Sequence, residues 1–146
     1  MSNATGPTTT GIRDGTLIPM ALAAVKVYRG AAAGFVAGTG YATPLVATSP
    51  TTNQFAGIFE ETYDNTAGAA GGYFTTVRRK GMACFGVNGT AITAANLGAK
   101  VYFYDDHTVT LTPGTIGAGV VAAVDAAGNV WVDIDCAMLG ILASHA

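Results

Sequence analysis

Apolar and polar residues alternate along this chain with a period of two, which is the repeat of a β-strand that buries one face. Residues that favour turns interrupt the alternation at roughly the 8–12-residue spacing typical of all-β sandwiches and barrels. The i, i+3, i+4, i+7 pattern of an amphipathic helix is not sustained for long. The pattern therefore predicts an all-β fold, a small β-barrel or β-sandwich.

The last third of the chain carries this pattern most clearly. Residues 101–104 and 108–112 are aromatic and β-branched on both sides of a polar segment, which predicts a hairpin. Residues 116–124 and 130–136 flank a turn at 125–129 and predict a second antiparallel pair. In the last strand, one face is expected to be buried and the other wet. The buried face is Val130, Val132, Ile134 and Cys136, and the wet face is Trp131, Asp133 and Asp135.

Four earlier strands are expected, over residues 21–28, 55–61, 73–79 and 82–87. The Gly-, Ala- and Thr-rich segment 31–50 fits either one or two edge strands or a long loop, and residues 63–72 indicate a flexible loop. Thr93 can cap a short helical turn within 91–97, with Gly98 at the position just beyond its end.

At 146 residues the chain has the length of one domain. Its first residues lack the apolar side chains that a core needs. We therefore divide it into an extended N-terminal arm, residues 1–18, and a β-barrel or β-sandwich domain, residues 19–146. Such an arm is ordered only where something holds it.

Only 11% of the residues are charged, and the net charge is −2. Ordinary soluble domains carry ~25% charged residues. Proteins that bind nucleic acid through its phosphates have a basic excess, so the composition argues against that class. The low charge indicates that other protein covers part of the surface, and the alternative is a charge-poor monomer.

Residues 1–10 lack the basic and apolar regions of a secretory signal, and the longest uncharged stretch, 30–59, is too rich in polar and turn residues to span a membrane. We therefore expect a soluble protein made in the cytoplasm. Cys84 and Cys136 make neither a metal set nor a disulfide framework. Each lies in a strand-like stretch, so both are predicted to be small buried hydrophobes.

The sequence lacks the parts of a hydrolase. A Ser–His–acid site needs three groups within reach of one another, but the serines lie in predicted tails or a loop: Ser2, Ser49 and Ser144. A Cys84–His107 pair is the remaining nucleophilic alternative. There is no G-x-S-x-G elbow, P-loop, G-x-G-x-x-G motif or metal-ligand cluster. We expect no enzymatic activity, no cofactor and no metal.

Three acidic pairs offer acid–base chemistry or cation binding: Glu60-Glu61, Asp105-Asp106 and Asp133 with Asp135. Neighbouring strand residues point to opposite faces, so Glu60 and Glu61 are not expected to converge. Asp133 and Asp135 share a face, but it is an outward face, where solvated carboxylates are ordinary.

Two segments are candidates for contact with other protein. The cluster Arg78-Arg79-Lys80 either meets an acidic surface or is a solvated strand end that discourages aggregation. The uncharged segment 136–143 is either an exposed interaction patch or a tail that folds back to close the barrel.

Six motifs follow one another in fixed order: FAGIFEETYDNTAG at 55–68, TVRRKG at 76–81, TAANLGAKVY at 93–102, DDHTVTLT at 105–112, GAGVVAAVD at 117–125 and VWVDI at 130–134. In this order, across residues 12–135, the chain resembles the capsid cement or head decoration proteins of tailed bacteriophages, including a family long labelled a domain of unknown function.

The resemblance implies a small β-barrel or β-sandwich protein that binds the outside of an expanded capsid and stabilises it against internal DNA pressure. Its implied partners are the major capsid protein and further copies of itself, commonly as a homotrimer near three-fold or quasi-three-fold positions. The implied location is the outer surface of the virion. The Thr-rich arm before Ile12 and the apolar tail after Asp135 depart from the family's pattern.

An extended arm can add its backbone to a neighbour's sheet edge, and many copies per particle make weak contacts sufficient. The predicted contact residues are Ile12, Arg13, Leu17, Ile18, Arg78, Arg79, Lys80, Leu139, Ile141 and Leu142. The alternative function is a virion surface adhesin module that binds bacterial or host carbohydrate. In that case Trp131, Tyr102 and Tyr104 would stack on sugars.

Overall fold

Short strands account for most of the chain that the structure describes. The computed structural model describes residue 6 and residues 15–47 and 54–135. Within these ranges it consists of strands, turns and a 3-10 turn at Ala94–Asn96, which confirms the all-β prediction. The strands are β1 (Leu17–Ala21), β2 (Lys26–Val27), β3 (Ala32–Phe35), β4 (Ala42–Pro44), β5 (Phe55–Phe59), β6 (Tyr63–Asp64), β7 (Phe74–Arg78), β8 (Met82–Val87), β9 (Lys100–Phe103), β10 (Thr108–Thr110), β11 (Gly117–Val124) and β12 (Val130–Asp133).

The strands form two main units. The first is a five-stranded antiparallel sheet in the order β1-β7-β5-β3-β4, and the second is a closed barrel in the order β10-β8-β12-β11-β9. Strands β2 and β6 form a separate two-stranded ribbon. The fold is therefore a small barrel joined to an open sheet.

Strand β5 is buried along its whole length because it is covered on both faces. Phe55 and Ile58 belong to the core of the barrel, whereas Ala56 and Phe59 belong to a second core beneath the other face of the sheet. This spacing breaks the period of two. A register shift against β3 at Gly57, whose φ is 144°, inserts one extra residue and turns the strand.

The barrel core is aromatic at its centre. The ring of Phe103 lies 4.9 Å from that of Phe55 and 5.4 Å from that of Phe85, so the three rings join the sheet to the barrel. The second core is smaller and rich in alanine: Leu22, Val27, Ala33, Ala42, Ala56, Phe59 and Val77.

Several strand predictions are confirmed. Strands β9 and β10 pair antiparallel, as do β11 and β12. Val130, Val132 and Ile134 are buried, whereas Trp131 and Asp133 are half-buried and Asp135 is exposed. Thr93 caps the 3-10 turn by accepting a hydrogen bond from the backbone of Ala95, and Gly98 follows with a φ of 81°. Cys136 lies outside the described residues.

Other strand predictions need correction. A single strand over 21–28 does not form, because Val25 N donates to Ala23 O at 2.8 Å in a tight turn that separates β1 from β2. The described part of segment 31–50, residues 31–47, contains two strands, but β3 lies inside the sheet and only β4 is at an edge. The loop predicted at 63–72 begins with β6, which pairs with β2. Strand β1 begins at Leu17, two residues inside the boundary predicted for the arm.

Both edges of the open sheet carry a proline that blocks further pairing. Arg79 N donates to Thr16 O and Leu22 N donates to Tyr73 O, one bond at each end of β7. Alternate residues of β1 therefore face β7, and Pro19 turns its backbone outward. On β4, Leu45 N donates to Ala32 O, which leaves Pro44 facing outward. Proline has no N–H to donate, so both edges are protected against strand addition.

Candidate functional site

The two ends of the described chain from residue 15 to residue 135 meet at one turn. Arg79 N donates to Thr16 O at 2.8 Å, which fixes the start of β1 beside the turn between β7 and β8. At the same turn, Gly81 N donates to Asp135 Oδ1 at 3.0 Å, and Ile134 N donates to Gly81 O at 3.1 Å. We call this end of the molecule, comprising Thr16–Leu17, Arg78–Met82 and Ile134–Asp135, the terminal pole.

The predicted basic cluster lies on this pole. The Nε of Arg78 forms an ion pair with Glu60 Oε1 at 2.6 Å, and both side chains are partly exposed. Such an exposed pair contributes at most about 1 kcal/mol. Arg79 is half-buried and Lys80 is exposed. The cluster therefore places positive charge beside Thr16 and Asp135, near the two ends of the described range 15–135.

The adjacent glutamates contact different partners, which agrees with the prediction that they do not converge. Glu61 accepts a hydrogen bond from Tyr73 Oη at 2.8 Å and one from Thr75 Oγ1 at 3.3 Å. The hydrogen bond to Glu61, together with burial, raises the pKa of Tyr73. Tyr73 also stacks on Tyr63, with ring centroids 3.6 Å apart. Glu61 therefore ties the segment between β5 and β6 to the start of β7.

The structure brings together the predicted contact residues that it describes. Leu17 is paired with Arg78, and Ile18 is paired with Val77. Leu17 is 49% exposed, whereas Ile18 is half-buried and packs against the second core. The remaining predicted contacts lie outside the described residues: Ile12, Arg13, Leu139, Ile141 and Leu142.

Two exposed apolar residues were missed by the sequence reasoning, one at the pole and the other at the opposite end of β7. Phe74 is 64% exposed and Met82 is 60% exposed. A signal for Phe74 was available, since Phe74 and Arg78 are an even number of residues apart in one strand and so share a face. Met82 begins β8 directly after the basic turn, and its alternation with Phe85 places it outside the barrel.

One face of β1 and β7 is left uncovered by the barrel. Ile58 in β5 faces the barrel core, and Arg78 in β7 pairs directly with it, so Arg78 lies on the same face of the sheet. Around β3 and β5 the barrel covers this face. Toward the sheet edge formed by β1, the same face continues on β7 and β1. We call this part of the face the overhang, and its residues are Leu17, Pro19, Phe74, Thr76 and Arg78.

The acidic segment between β9 and β10 groups three potential metal ligands. One ligand atom each from Asp105, Asp106 and His107 lies within 4.8 Å of the others. However, Asp105 Oδ1 accepts the backbone N–H groups of His107 and Thr108, which closes the hairpin turn. His107 Nδ1 lies 2.8 Å from Asp106 Oδ1. The hydrogen bonds of the hairpin turn therefore explain why these three side chains lie close together.

The hydrogen bond that the imidazole donates to Asp106 and the charge of Asp105 raise the pKa of His107. Stability from a raised histidine pKa is fully present below about pH 6.5 and is lost as the pH rises through the folded-state pKa. His107→Gln should therefore cost about 0.5 kcal/mol or less near pH 5.5, because the imidazole is exposed, and less still at pH 8.5. Urea unfolding at both pH values measures this, with His145→Gln as the control, and equal costs at both pH values would contradict it.

The burial predicted for Cys84 is wrong. Cys84 is exposed, and it pairs across the strands with Trp131 on the outer wall of the barrel. The buried residue of this stretch of β8 is its neighbour Phe85, which pairs with Val130. Within the described residues, no hydrogen bond joins Cys84 to His107, whose Nδ1 lies 2.8 Å from Asp106 Oδ1. The three serines of the hydrolase analysis, Ser2, Ser49 and Ser144, lie outside the described residues.

The three aromatics considered for carbohydrate binding do not form one platform. Trp131 pairs with Ala123 of β11, whereas Tyr102 pairs with Gly117 of the same strand. Six residues of strand separate them by roughly 20 Å. The indole Nε1 of Trp131 also donates to Asp125 Oδ2 at 3.3 Å. Tyr104 is 56% exposed, and it lies near Tyr102 rather than near Trp131.

The barrel is closed without the C-terminal tail. Its five strands lie within residues 82–133, and β10 completes the circle between β8 and β9. Segment 136–143, for which the sequence left open an exposed patch or a tail that closes the barrel, lies outside the described residues.

In the described part of the chain, no helix combines the length and the apolar character needed to cross a bilayer. Comparison of the chain with protein-family models, curated proteins and solved structures finds no match.

Proposed function

We propose that this protein is a capsid decoration protein of a tailed bacteriophage, which binds the outer surface of the expanded shell and stabilises it. The resemblance of the ordered motifs suggests this role. The observation that carries it is the hydrogen bond from Arg79 N to Thr16 O at 2.8 Å. Because of this bond, the N-terminal arm emerges beside the basic turn, so an arm and a charged surface can act on one partner.

The terminal pole is the side that we propose faces the capsid. The pairs Val124–Val130 and Met82–Asp133 mark the two ends of β12, so the hairpin turn at 125–129 lies at the opposite end from the pole. Docking through the pole directs this turn away from the shell. The proposed partners are the major capsid protein and, as a homotrimer, further copies of this chain.

Attachment by strand addition is open to the arm but not to the edges of this protein's own sheet. Pro19 and Pro44 prevent strand addition to this protein's own sheet. The arm has no such restriction over most of its length, and it can add its backbone to a sheet edge on the shell. Weak contacts at each copy suffice, since many copies engage one particle. The role requires no catalysis and no cofactor.

Co-sedimentation with expanded heads that lack the protein tests this function. We expect saturable binding with a copy number that matches the three-fold and quasi-three-fold sites of the lattice. Binding no higher than background would overturn the proposal, and binding on a glycan array instead would favour the adhesin alternative.

The same assay tests the two parts of the pole. Deletion of residues 1–11 should weaken binding by about tenfold or more without lowering the melting temperature, because the first described strand begins at Leu17. Lys80→Glu should also weaken binding, and more so at low salt. Arg29→Glu is the matched control, since it makes the same charge change at an exposed residue beyond β2. Unchanged binding by the deletion variant would exclude the arm as an anchor.

A further inference from the structure

Asn88 is the one asparagine of the chain that a glycine follows. The pair Asn88-Gly89 comes directly after β8, and residues 88–91 are all exposed. An asparagine side chain reacts with its own backbone when the nitrogen of the next residue attacks the side-chain amide carbon, Cγ. Glycine favours this attack, because it has no Cβ to shield the nitrogen and its backbone adopts more conformations than that of other residues.

Both reacting groups of this pair are unengaged within the described residues. The backbone N–H of Asn88 donates to Val109 O at 2.9 Å, but the N–H of Gly89 donates to no described acceptor. The side-chain amide of Asn88 likewise has no hydrogen-bond partner there. A Cβ built on Gly89 would meet one atom within 4 Å, Thr110 Oγ1 at 4.0 Å, so the space beside the nitrogen is open. The nitrogen can therefore approach Cγ without the loss of a hydrogen bond.

Two other described asparagines lack this freedom. Asn65 is buried, and its side-chain amide donates to two backbone carbonyl oxygens. Asn129 is exposed, but its Nδ2 donates to Asp125 Oδ2 at 3.0 Å. The residue after it, Val130, is β-branched and buried, so its side chain crowds the nitrogen that would attack. Exposure alone therefore does not distinguish Asn88, whereas its unbonded amide and the following glycine do.

We propose that Asn88 is a site of spontaneous deamidation within the chain. The nitrogen of Gly89 forms a bond to Asn88 Cγ, the bond from Cγ to the side-chain nitrogen breaks, and ammonia leaves with the proton of the Gly89 amide. Water then opens the cyclic imide. Opening at Cγ gives aspartate, and opening at the backbone carbonyl gives isoaspartate. The reacting groups belong to adjacent residues, so the attack has the high effective concentration of an intramolecular step.

The modification lies at the end of the barrel that is remote from the terminal pole. Strand β8 begins at that pole and ends at Val87, and Asn88 follows. The turn at 125–129 lies at the same end, because Phe85 of β8 pairs with Val130. Each reacted copy gains one negative charge there. This inference goes beyond the proposed function, since it concerns a covalent change in the chain and not its binding to a shell.

The folded structure can accommodate both products. In isoaspartate the chain gains one methylene between Asn88 Cα and the nitrogen of Gly89. The Asn88 N–H lies before this point, so it keeps its hydrogen bond to Val109 O. The exposed residues 89–91 can absorb the methylene ahead of Ile92, which is buried in the barrel core. We therefore expect reaction in the folded protein, without unfolding.

Incubation of the purified full-length protein at pH 8 over several days tests the proposal. Mass spectrometry of proteolytic peptides should locate the conversion of amide to acid at Asn88, at least about tenfold faster than at Asn129, the exposed control in the same chain. An isoaspartyl methyltransferase with labelled S-adenosylmethionine should methylate the Asn88 peptide. No conversion at Asn88, or conversion to aspartate without isoaspartate, would overturn the proposal.

Asn88→Gln is the matched variant. It keeps an exposed side-chain amide but places it one methylene farther from the backbone nitrogen that attacks. We expect methylation of the incubated protein to fall at least about tenfold, because the reacting atoms are no longer held in the favourable geometry. Methylation at the level of the unsubstituted protein would place the reactive site elsewhere and overturn the proposal.

Leu97→Gly creates a second Asn-Gly pair and separates the effect of the fold from that of the dipeptide. Leu97 is exposed, but Asn96 Oδ1 accepts the Thr93 N–H at 2.9 Å, and the nitrogen of residue 97 donates to Ala94 O at 3.3 Å. In the folded variant, Asn96 should react about tenfold more slowly than Asn88, and in urea the two should react at similar rates. Equal rates in the folded variant, or reaction at Asn88 only in urea, would overturn the proposal. Head binding is a separate assay, so these results do not depend on the proposed function.

Discussion

Gly119→Ala is expected to destabilise the protein by about 2–4 kcal/mol, a large effect for the addition of one methyl group. Gly119 has a φ of 139°, a conformation that residues with a side chain rarely adopt. A Cβ at this position would also collide with the carbonyl oxygen of Asp133. Strand β11 is bonded to β9 on one side and to β12 on the other, so it cannot move away without breaking a ladder.

Gly117→Ala is the matched control for this prediction. Gly117 lies two residues earlier in the same strand, and nothing stands within 4 Å of a Cβ built there. We expect its cost to stay within about 0.5 kcal/mol. At ~2–4 °C per kcal/mol, thermal unfolding separates the two variants clearly. Equal melting temperatures would mean that the bulge at Gly119 is not a rigid part of the barrel.

The same bulges explain why only part of the fold follows from the sequence. Local alternation was sufficient for the pair of β9 and β10 and for the pair of β11 and β12, because each strand has one buried face. It failed to show that β5 is covered on both faces, since Gly57 shifts the alternation within the strand. A bulge of this kind depends on the partner strand, which periodicity does not identify.

The error on Cys84 has the same origin. The stretch around Cys84 contains small residues on both faces of β8, so the pattern alone does not choose the buried face. The choice is made by β12, where Val130 pairs with Phe85 and Trp131 pairs with Cys84. Trp131 was correctly expected on the wet face, so knowledge of this pairing would have placed Cys84 there as well.

The candidate site was predictable as a set of segments but not as a surface. The arm and the basic cluster stand out in composition and charge. Their convergence depends on the pairing of β1 with β7 across more than fifty residues of chain, and on the pairing of β8 with β12. The overhang depends further on how far the barrel extends over the sheet. These are tertiary relations, which local patterns do not contain.

A second large effect is expected at Asn65, a polar residue that is only 5% exposed. Its Nδ2 donates to Ala23 O at 3.1 Å and to Ala69 O at 3.2 Å, and it also lies 3.5 Å from Leu22 O. These bonds fasten the loop after β6 to the turn between β1 and β2. Asn65→Asp keeps the size of the side chain but replaces the donor with an acceptor. We expect a loss of about 3–5 kcal/mol at pH 7, because a buried carboxylate would face carbonyl oxygens.

The dependence on pH distinguishes this cause from a packing defect. Burial and the nearby carbonyls raise the pKa of the introduced carboxyl in the folded state above its unfolded value of about 3.9. Stability is therefore lost as the pH rises through the folded-state pKa and is regained as the pH falls toward 4, where the protonated acid can donate one hydrogen bond. Asn88→Asp, which makes the same charge change at an exposed residue, should cost little at either pH. Urea unfolding of both variants at pH 4.5 and pH 7 measures the difference. A cost for Asn65→Asp that does not fall at the lower pH would locate the damage in packing rather than in the three carbonyl contacts.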